Sequence, residues 1–286
     1  MKLIKSSFEI LEQDPGLIGM FKSIERAGWT AYKSEYKITD DSYEAFVQRI
    51  IDSKHYSVLE HGTVYLTIPY NVVVNWTEYN DSLLDITKNP YSKTKSDKNN
   101  YYISTNYRVI IEHEWEDLLN YQVDEPSDMH YKRVQVRMII PISISREFNR
   151  HRTLSPTESS TRYCNYSKSK FNNEITFIKP YWYDKFNAKC IDGVREDGTT
   201  DMFSTNDFEA SLVYSESLYI AAIIAGAKPQ EAREMLPLCT ATEVVYTAFV
   251  DDWSHFFSLR IPESAHPQAR EIAIPLKEEF INRKYI

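Results

Sequence analysis

The sequence predicts an α+β protein built as one mixed domain. Two stretches alternate with strand period, at residues 63–70 and 133–140, a third at 242–250 is β-branched and aromatic, and three others, at 21–31, 41–51 and 208–223, carry helical patterning. Neither an internal repeat nor a linker separates them, so residues 1–286 read as a single domain.

Taken in order, residues 21–31 and 41–51 have helical patterning, with Asp40 and Asp41 as candidate N-caps for the second helix. Residues 63–70 place Val64, Leu66 and Ile68 on one face and Thr63, Tyr65 and Thr67 on the other, a half-buried strand. Residues 71–129 form a polar insertion, read as decoration or an oligomer contact. Its Lys- and Asn-rich middle, 93–100, predicts a mobile loop, and 101–111 predict a strand. A strand follows through Val134, Val136, Met138 and Ile140, and 143–152 can wind as a short helix. Phe208, Leu212, Tyr219 and Ile223 keep helical spacing up to Gly226, a stop signal. Pro229 starts another helix and Pro237 ends it; a strand at 242–250 then precedes a helix carrying His255 to Arg260, capped by Asp251 or Asp252. Pro267 opens the last helix, toward Phe280.

A net charge of -8 over 286 residues argues against bulk binding to nucleic acid or an anionic membrane, since both need clustered positive charge. Any anionic ligand must therefore be met locally. The longest apolar run, 219–227, is far short of the ~20 residues of a membrane span. Cys164, Cys190 and Cys239 form no CxxC spacing and follow no signal-like N-terminus, which predicts a soluble protein of a reducing, cytoplasmic compartment. Without an HExxH pattern or other recognisable ligand spacing, no metal site is expected.

The densest polar cluster runs from Arg150 to Tyr163 and contains Arg150, His151, Arg152, Glu158, Ser159, Ser160, Thr161 and Arg162. Guanidinium groups make planar, bidentate contacts to phosphates and carbonyls, so closely spaced arginines suit a nucleotide. The same stretch has a purely local reading, because Ser155-Pro156-Thr157-Glu158 has the form of a capping box with Pro at N1.

In full, this cluster resembles the signature of the flavin-dependent thymidylate synthases (the ThyX family): Arg-His-Arg, two variable residues, Ser, one variable, Asn-Glu, one variable, Ser, one variable, Arg-Tyr. Every fixed position matches except the Asn, which is Thr157 here. Three further stretches resemble the same family in the same order: the segment from His55 to His61, the segment Ala232-Arg233-Glu234-Met235-Leu236-Pro237, and the segment His255 to Arg260. The resemblance implies a largely antiparallel sheet flanked by helices and an enzyme that methylates dUMP to dTMP. It implies FAD as hydride carrier, with 5,10-methylenetetrahydrofolate and NADPH as co-substrates, no cysteine nucleophile, and a homotetramer whose subunits share active sites.

Carried over residue by residue, the resemblance implies FAD contacts for His55, Ser57, Glu60, Arg150, His151, Arg152, Glu158 and His255. It implies dUMP contacts for Glu147, Arg150, Glu158, Ser159, Ser160, Thr161, Arg162, Arg233 and Arg260, with Arg260 catalytic through stabilisation of negative charge on the ring. With only seven glycines and no GxGxxG, the chain must hold a flavin by side chains. Thr157 lacks the amide of Asn, and Glu147 puts a charge where the family commonly has Gln, so Glu147 could instead pair with Arg146, Arg150 or His151. Two competing readings are an RNA-binding module using the Arg and Tyr cluster, and an inactive relative that keeps only the fold.

Overall fold

The computed structural model describes residues 1–72, 86, 88–186, 191–194 and 198–286. Cys190 and residues 73–85 and 87 of the polar insertion lie outside that set. The strands are β1 (Lys2–Ile4), β2 (Ser7–Leu11), β3 (Thr63–Pro69), β4 (Lys93–Ser96), β5 (Asn100–Asn106), β6 (Arg133–Pro141), β7 (Ser155–Glu158), β8 (Thr176–Ile178), β9 (Ile191–Val194), β10 (Thr200–Phe203) and β11 (Ala241–Phe249). The helices are α1 (Gly16–Thr30), α2 (Ser42–Asp52), α3 (Tyr107–Glu112), α4 (Ile142–Phe148), α5 (Thr205–Ile224), α6 (Pro229–Ala232), α7 (Val250–Arg260) and α8 (Pro267–Asn282).

A four-stranded sheet of order β2-β6-β11-β7 and a three-stranded sheet of order β3-β5-β4 carry the architecture; both are antiparallel throughout, as is the β9-β10 hairpin. Among the described residues only the short β1-β8 pair is parallel. The α+β class with a largely antiparallel sheet is therefore what the chain adopts. None of the helices among the described residues is long and apolar enough to cross a membrane.

The alternation of β6 decides one core. Val134, Val136, Met138 and Ile140 face the same way as Val244, Tyr246 and Ala248 of β11, and they pack on Trp253, Phe256 and Phe257 of α7 and Leu276 and Phe280 of α8. Each large apolar side chain sealed there contributes about 1.5–3 kcal/mol. Trp253 also donates its indole N–H to the carbonyl of Val134 at 3.1 Å, so its one polar group is not stranded.

A second core gathers Met20 and Ile24 of α1, Phe46, Val47 and Ile50 of α2, and Val64, Leu66 and Ile68 of β3. Gly28 lets α1 approach α2 closely, since a Cβ there would lie 2.3 Å from the Phe46 ring. Ile103, Tyr107, Val109, Ile110, Trp115 and Leu118 complete this core. The later half of the polar insertion is thus a structural member of the fold rather than decoration, and 93–100 supply β4 and its turn into β5.

Several local expectations change. The strand anticipated over 101–111 ends at Asn106, whose side chain accepts from the amide of Val109 at 3.1 Å and starts α3. β3 is buried on both faces over most of its length rather than half-buried. Asp41 occupies the N-cap position of α2 without a side-chain cap bond, and Phe249 is the N-cap of α7, leaving Asp251 and Asp252 in its first turn. Residues 155–158 do not cap a helix: they form β7, an edge strand, where Pro156 costs no ladder bond that the sheet needs.

Candidate active site

Four elements converge on one polar cluster: the end of α4, the turn at 149–154, β7 with the residues after it, and the C-terminal end of α7. Arg260, the last residue of α7, reaches back across this gap. Its Nη1 donates to Glu147 Oε2 at 3.0 Å, its Nη2 to the Glu147 carbonyl at 2.7 Å, and its Nε to His151 Nε2 at 2.8 Å. The guanidinium packs over the Phe148 ring, 5.8 Å from its centroid. Glu147 therefore pairs with Arg260, not with Arg146, Arg150 or His151.

Because an arginine Nε is always a donor, His151 must accept with an unprotonated Nε2 and carry its hydrogen on Nδ1. Burial, and then the charges of Arg260 and His255, lower its pKa to about 4, so the ring is a neutral imidazole at physiological pH. The His255 ring lies 6.1 Å away, edge-on, and its side chain is exposed.

Glu158, at the end of β7, is held by three donors. Ser145 Oγ (2.6 Å) and Thr242 Oγ1 (2.8 Å) bond its Oε1, and Asn149 Nδ2 (3.1 Å) bonds its Oε2. Asn149 is oriented in turn by the Tyr246 hydroxyl, 2.7 Å from its Oδ1. Such a network fixes an acceptor in place and leaves about one lone-pair site, on Oε2, for a ligand.

A neighbouring cavity of about 260 Å³ is lined by Arg146, Thr161, Arg233, Glu234, Leu236 and Pro237. Arg146 makes no hydrogen bond or ion pair among the described residues, and the acid nearest Arg233 is Glu234, at 3.5 Å in an exposed pair. Arg150 and Arg152 are exposed and likewise without an acidic partner among the described residues. Arg162, exposed, donates from Nε to Gln230 Oε1 at 3.2 Å, and its amide bonds Ser160 Oγ.

Other residues singled out in the sequence stand apart from this cluster. Ser159 is buried, its hydroxyl bonded to Thr242 Oγ1 and to the amide of Glu243, so it secures β7 to β11. Glu60 binds Arg108 Nη1 at 2.6 Å, and its carbonyl accepts from Arg133 Nη2. His55 and Ser57 are exposed on the turn that ends in His61. His61 itself bridges Thr157 Oγ1 and Thr247 Oγ1, both at 2.8 Å, which shows what Thr157 does: it satisfies a buried ring. A cavity of about 420 Å³ lies elsewhere, beside Gln13, His61, Tyr65 and Arg133, and no residue of the 150–163 cluster lines it.

Arg146, Asn149 and Thr242 are members of the cluster that sequence patterns alone do not mark. Asn149 adjoins the Arg-His-Arg run; Thr242 lies in an unrelated segment and is brought in by β11 alone.

An antiparallel α+β fold whose strand and helix ends gather uncompensated arginines, a fixed carboxylate and a neutral imidazole defines a protein equipped to hold an anionic, ring-bearing ligand. The family model described as "Thymidylate synthase complementing protein" matches residues 88–283, and the chain belongs to that family. A flavin-dependent thymidylate synthase of Pyrococcus furiosus is 28% identical over 134 residues, 47% of this chain and 48% of that protein. One from Synechocystis is 26% identical over 174 residues, covering 57% of this chain and 70% of that protein. The match thus spans about half the length of the Pyrococcus relative. A crystal structure of the UMP/dUMP methylase PolB from Streptomyces cacaoi bound with 5-Br dUMP aligns over 99% of this chain and 93% of that one, with 14% identity and a TM-score of 0.45.

Proposed function

We propose that this protein is a flavin-dependent thymidylate synthase, converting dUMP to dTMP with 5,10-methylenetetrahydrofolate as carbon donor, FAD as cofactor and NADPH as reductant. The observation that carries the reading is Arg260: a guanidinium fixed by Glu147 and His151 at the mouth of a cluster that also holds Glu158. Of its five N–H groups three are engaged, which leaves two for a uracil carbonyl as negative charge develops on the ring. A donor already locked in place needs no reorganisation at that moment, which is the source of its catalytic value.

The residues present fit a flavin in part. Arg150 and Arg152, exposed and without acidic partners among the described residues, suit a pyrophosphate, and His151 can donate its Nδ1–H to a ring acceptor. Glu60, tied to Arg108, is better suited to shaping the turn with His55 and Ser57 than to touching the cofactor itself. When bound, FAD supplies the hydride. The protein's own residues do the rest: Arg146, Arg162, Arg233 and Thr161 receive the nucleotide phosphate, Glu158 and Ser160 accept from or donate to the sugar and base, and Arg260 polarises the ring.

Among the described residues, a route without a cysteine nucleophile is supported by Cys164, which is fully buried, and by Cys239, whose thiol burial pushes up to about 11. The exposed Arg150, Arg152 and His255 support active sites shared between subunits of a homotetramer, where a neighbouring chain can complete them. The test is tritium release from dUMP labelled at C5, with FAD, NADPH and 5,10-methylenetetrahydrofolate present. Release that depends on all three is the expected result. A folded, flavin-loaded protein that releases none contradicts the reading.

A further inference from the structure

Among the described residues Glu147 is the one acidic side chain in contact with the Arg260 guanidinium, and its geometry is specific. The carboxylate takes Nη1 at 3.0 Å while the same residue's carbonyl takes Nη2 at 2.7 Å, so a single residue grips both terminal nitrogens of Arg260. The Nε side is closed by His151, which burial and neighbouring charge keep neutral. Arg260 is only 17% exposed and Glu147 34%, so solvent screens this pair less than it would a surface one.

The neighbouring arginines are arranged differently. Arg146 in the 260 Å³ cavity, and Arg150 and Arg152 on the adjacent turn, have no acidic partner among the described residues. Arg233 has only an exposed contact to Glu234 at 3.5 Å. Charge in the cluster is thus sorted: Arg146, Arg150 and Arg152 stand without an acid among the described residues, Arg233 shares the cavity with Glu234, and Arg260 is neutralised by Glu147.

Resting on the synthase reading above, we propose that Glu147 is a specificity-determining residue: it orients Arg260 and cancels its charge, so that a neutral heterocycle, and not a phosphate, is seated against the guanidinium. A free guanidinium presents a fork that matches a phosphate oxyanion and would capture it in the ground state. With Glu147 in place, Arg260 keeps two N–H groups but little net charge, and its attraction grows only as the ring itself becomes anionic. Phosphates are left to Arg146 in the cavity and to Arg150 and Arg152 on the adjacent turn. Glu147 would in this way direct which end of the nucleotide enters where.

The experiment is a calorimetric titration of the purified protein with inorganic phosphate and, separately, with deoxyuridine, neither of which requires flavin or turnover. In Glu147→Gln, which keeps the side-chain shape and the carbonyl bond, phosphate affinity should rise roughly three- to tenfold while deoxyuridine affinity stays within about twofold. The gain should vanish in the double variant Glu147→Gln with Arg260→Ala. In the parent protein Arg260→Ala alone should leave phosphate affinity within about twofold, a measurement that does not depend on any Glu147 variant folding. Unchanged phosphate affinity in Glu147→Gln, a gain that survives loss of Arg260, or a marked loss in Arg260→Ala alone would each overturn the proposal. A protein that fails the tritium assay but shows this pattern retains charge sorting and loses the synthase reading; the converse result separates them the other way.

Discussion

The turn that ends at His61 and the turn that carries His151 each bury an imidazole, and they differ in what is left over. His61 is 1% exposed with both nitrogens bonded, to Thr157 and Thr247, and burial assisted by the charge of Arg133 lowers its pKa to about 3. His151 is 7% exposed and has one nitrogen bonded, to Arg260, while Nδ1 finds no partner among the described residues. A polar group whose valences are all used holds a fold together; one with a donor to spare, next to a cation with donors to spare, is available to a ligand. The same residue type within the same set of motifs thus serves structure in one turn and keeps a donor open in the other.

The largest effect should fall on the open side of this comparison. Arg260→Ala should lower kcat by about 10²- to 10³-fold, or about 3–4 kcal/mol, while the melting temperature and flavin absorbance change little. Steady-state kinetics beside a thermal melt test this, and turnover near the parental rate would remove Arg260 from the mechanism. On the closed side, His61→Leu should cost about 3 kcal/mol of stability, because Thr157 loses its partner and Thr247 keeps only Gln135. Urea denaturation measures that loss, and a value below about 1 kcal/mol would mean the buried network matters little.

Acid should weaken both turns. Each histidine has a folded pKa below the ordinary 6.5, at about 3 for His61 and about 4 for His151, so the unfolded chain binds more protons as pH falls below 6.5. Stability is full above that value and declines as pH drops toward the folded pKa values. Each should contribute about 2 kcal/mol of loss between pH 7 and pH 5. Chemical denaturation at the two pH values checks it, and the His61→Leu variant should show about half the parental decline. The smallest effect concerns the entrance to the His61 turn. Arg108→Ala, which frees the part-exposed Glu60, should cost about 1 kcal/mol or less and leave flavin binding within about twofold. Loss of flavin on desalting that variant would instead place Glu60 and Arg108 at the cofactor.

The fold class, the Arg-His-Arg run, Arg233 and Arg260 were legible in the sequence because each rests on local pattern or on a stretch of consecutive residues. The role of residues 93–121 was not, since their polar surface hides a buried set, Ile103, Tyr107, Val109, Ile110, Trp115 and Leu118, which only pairing with β3 makes apolar. Residues 155–158 illustrate a real ambiguity. The same four residues satisfy a helix-capping pattern and an edge strand, and the ladder to β11 settles the matter in favour of the strand.

By itself the sequence determined the alternation that builds β3 and β6, the β-branched and aromatic run of β11, the helical spacing of α5, the start of α8 at Pro267, and the membership of the polar cluster, because these depend on periodicity and residue chemistry along the chain. Tertiary structure alone decided partnership. It joined Glu147 to Arg260, Glu60 to Arg108, Thr157 to His61, and Glu158 to Asn149 and Thr242. Whether a buried polar atom is spent or spare depends on which segments the sheets bring within about 3 Å, a distance set by strand register and packing that no spacing along the chain records.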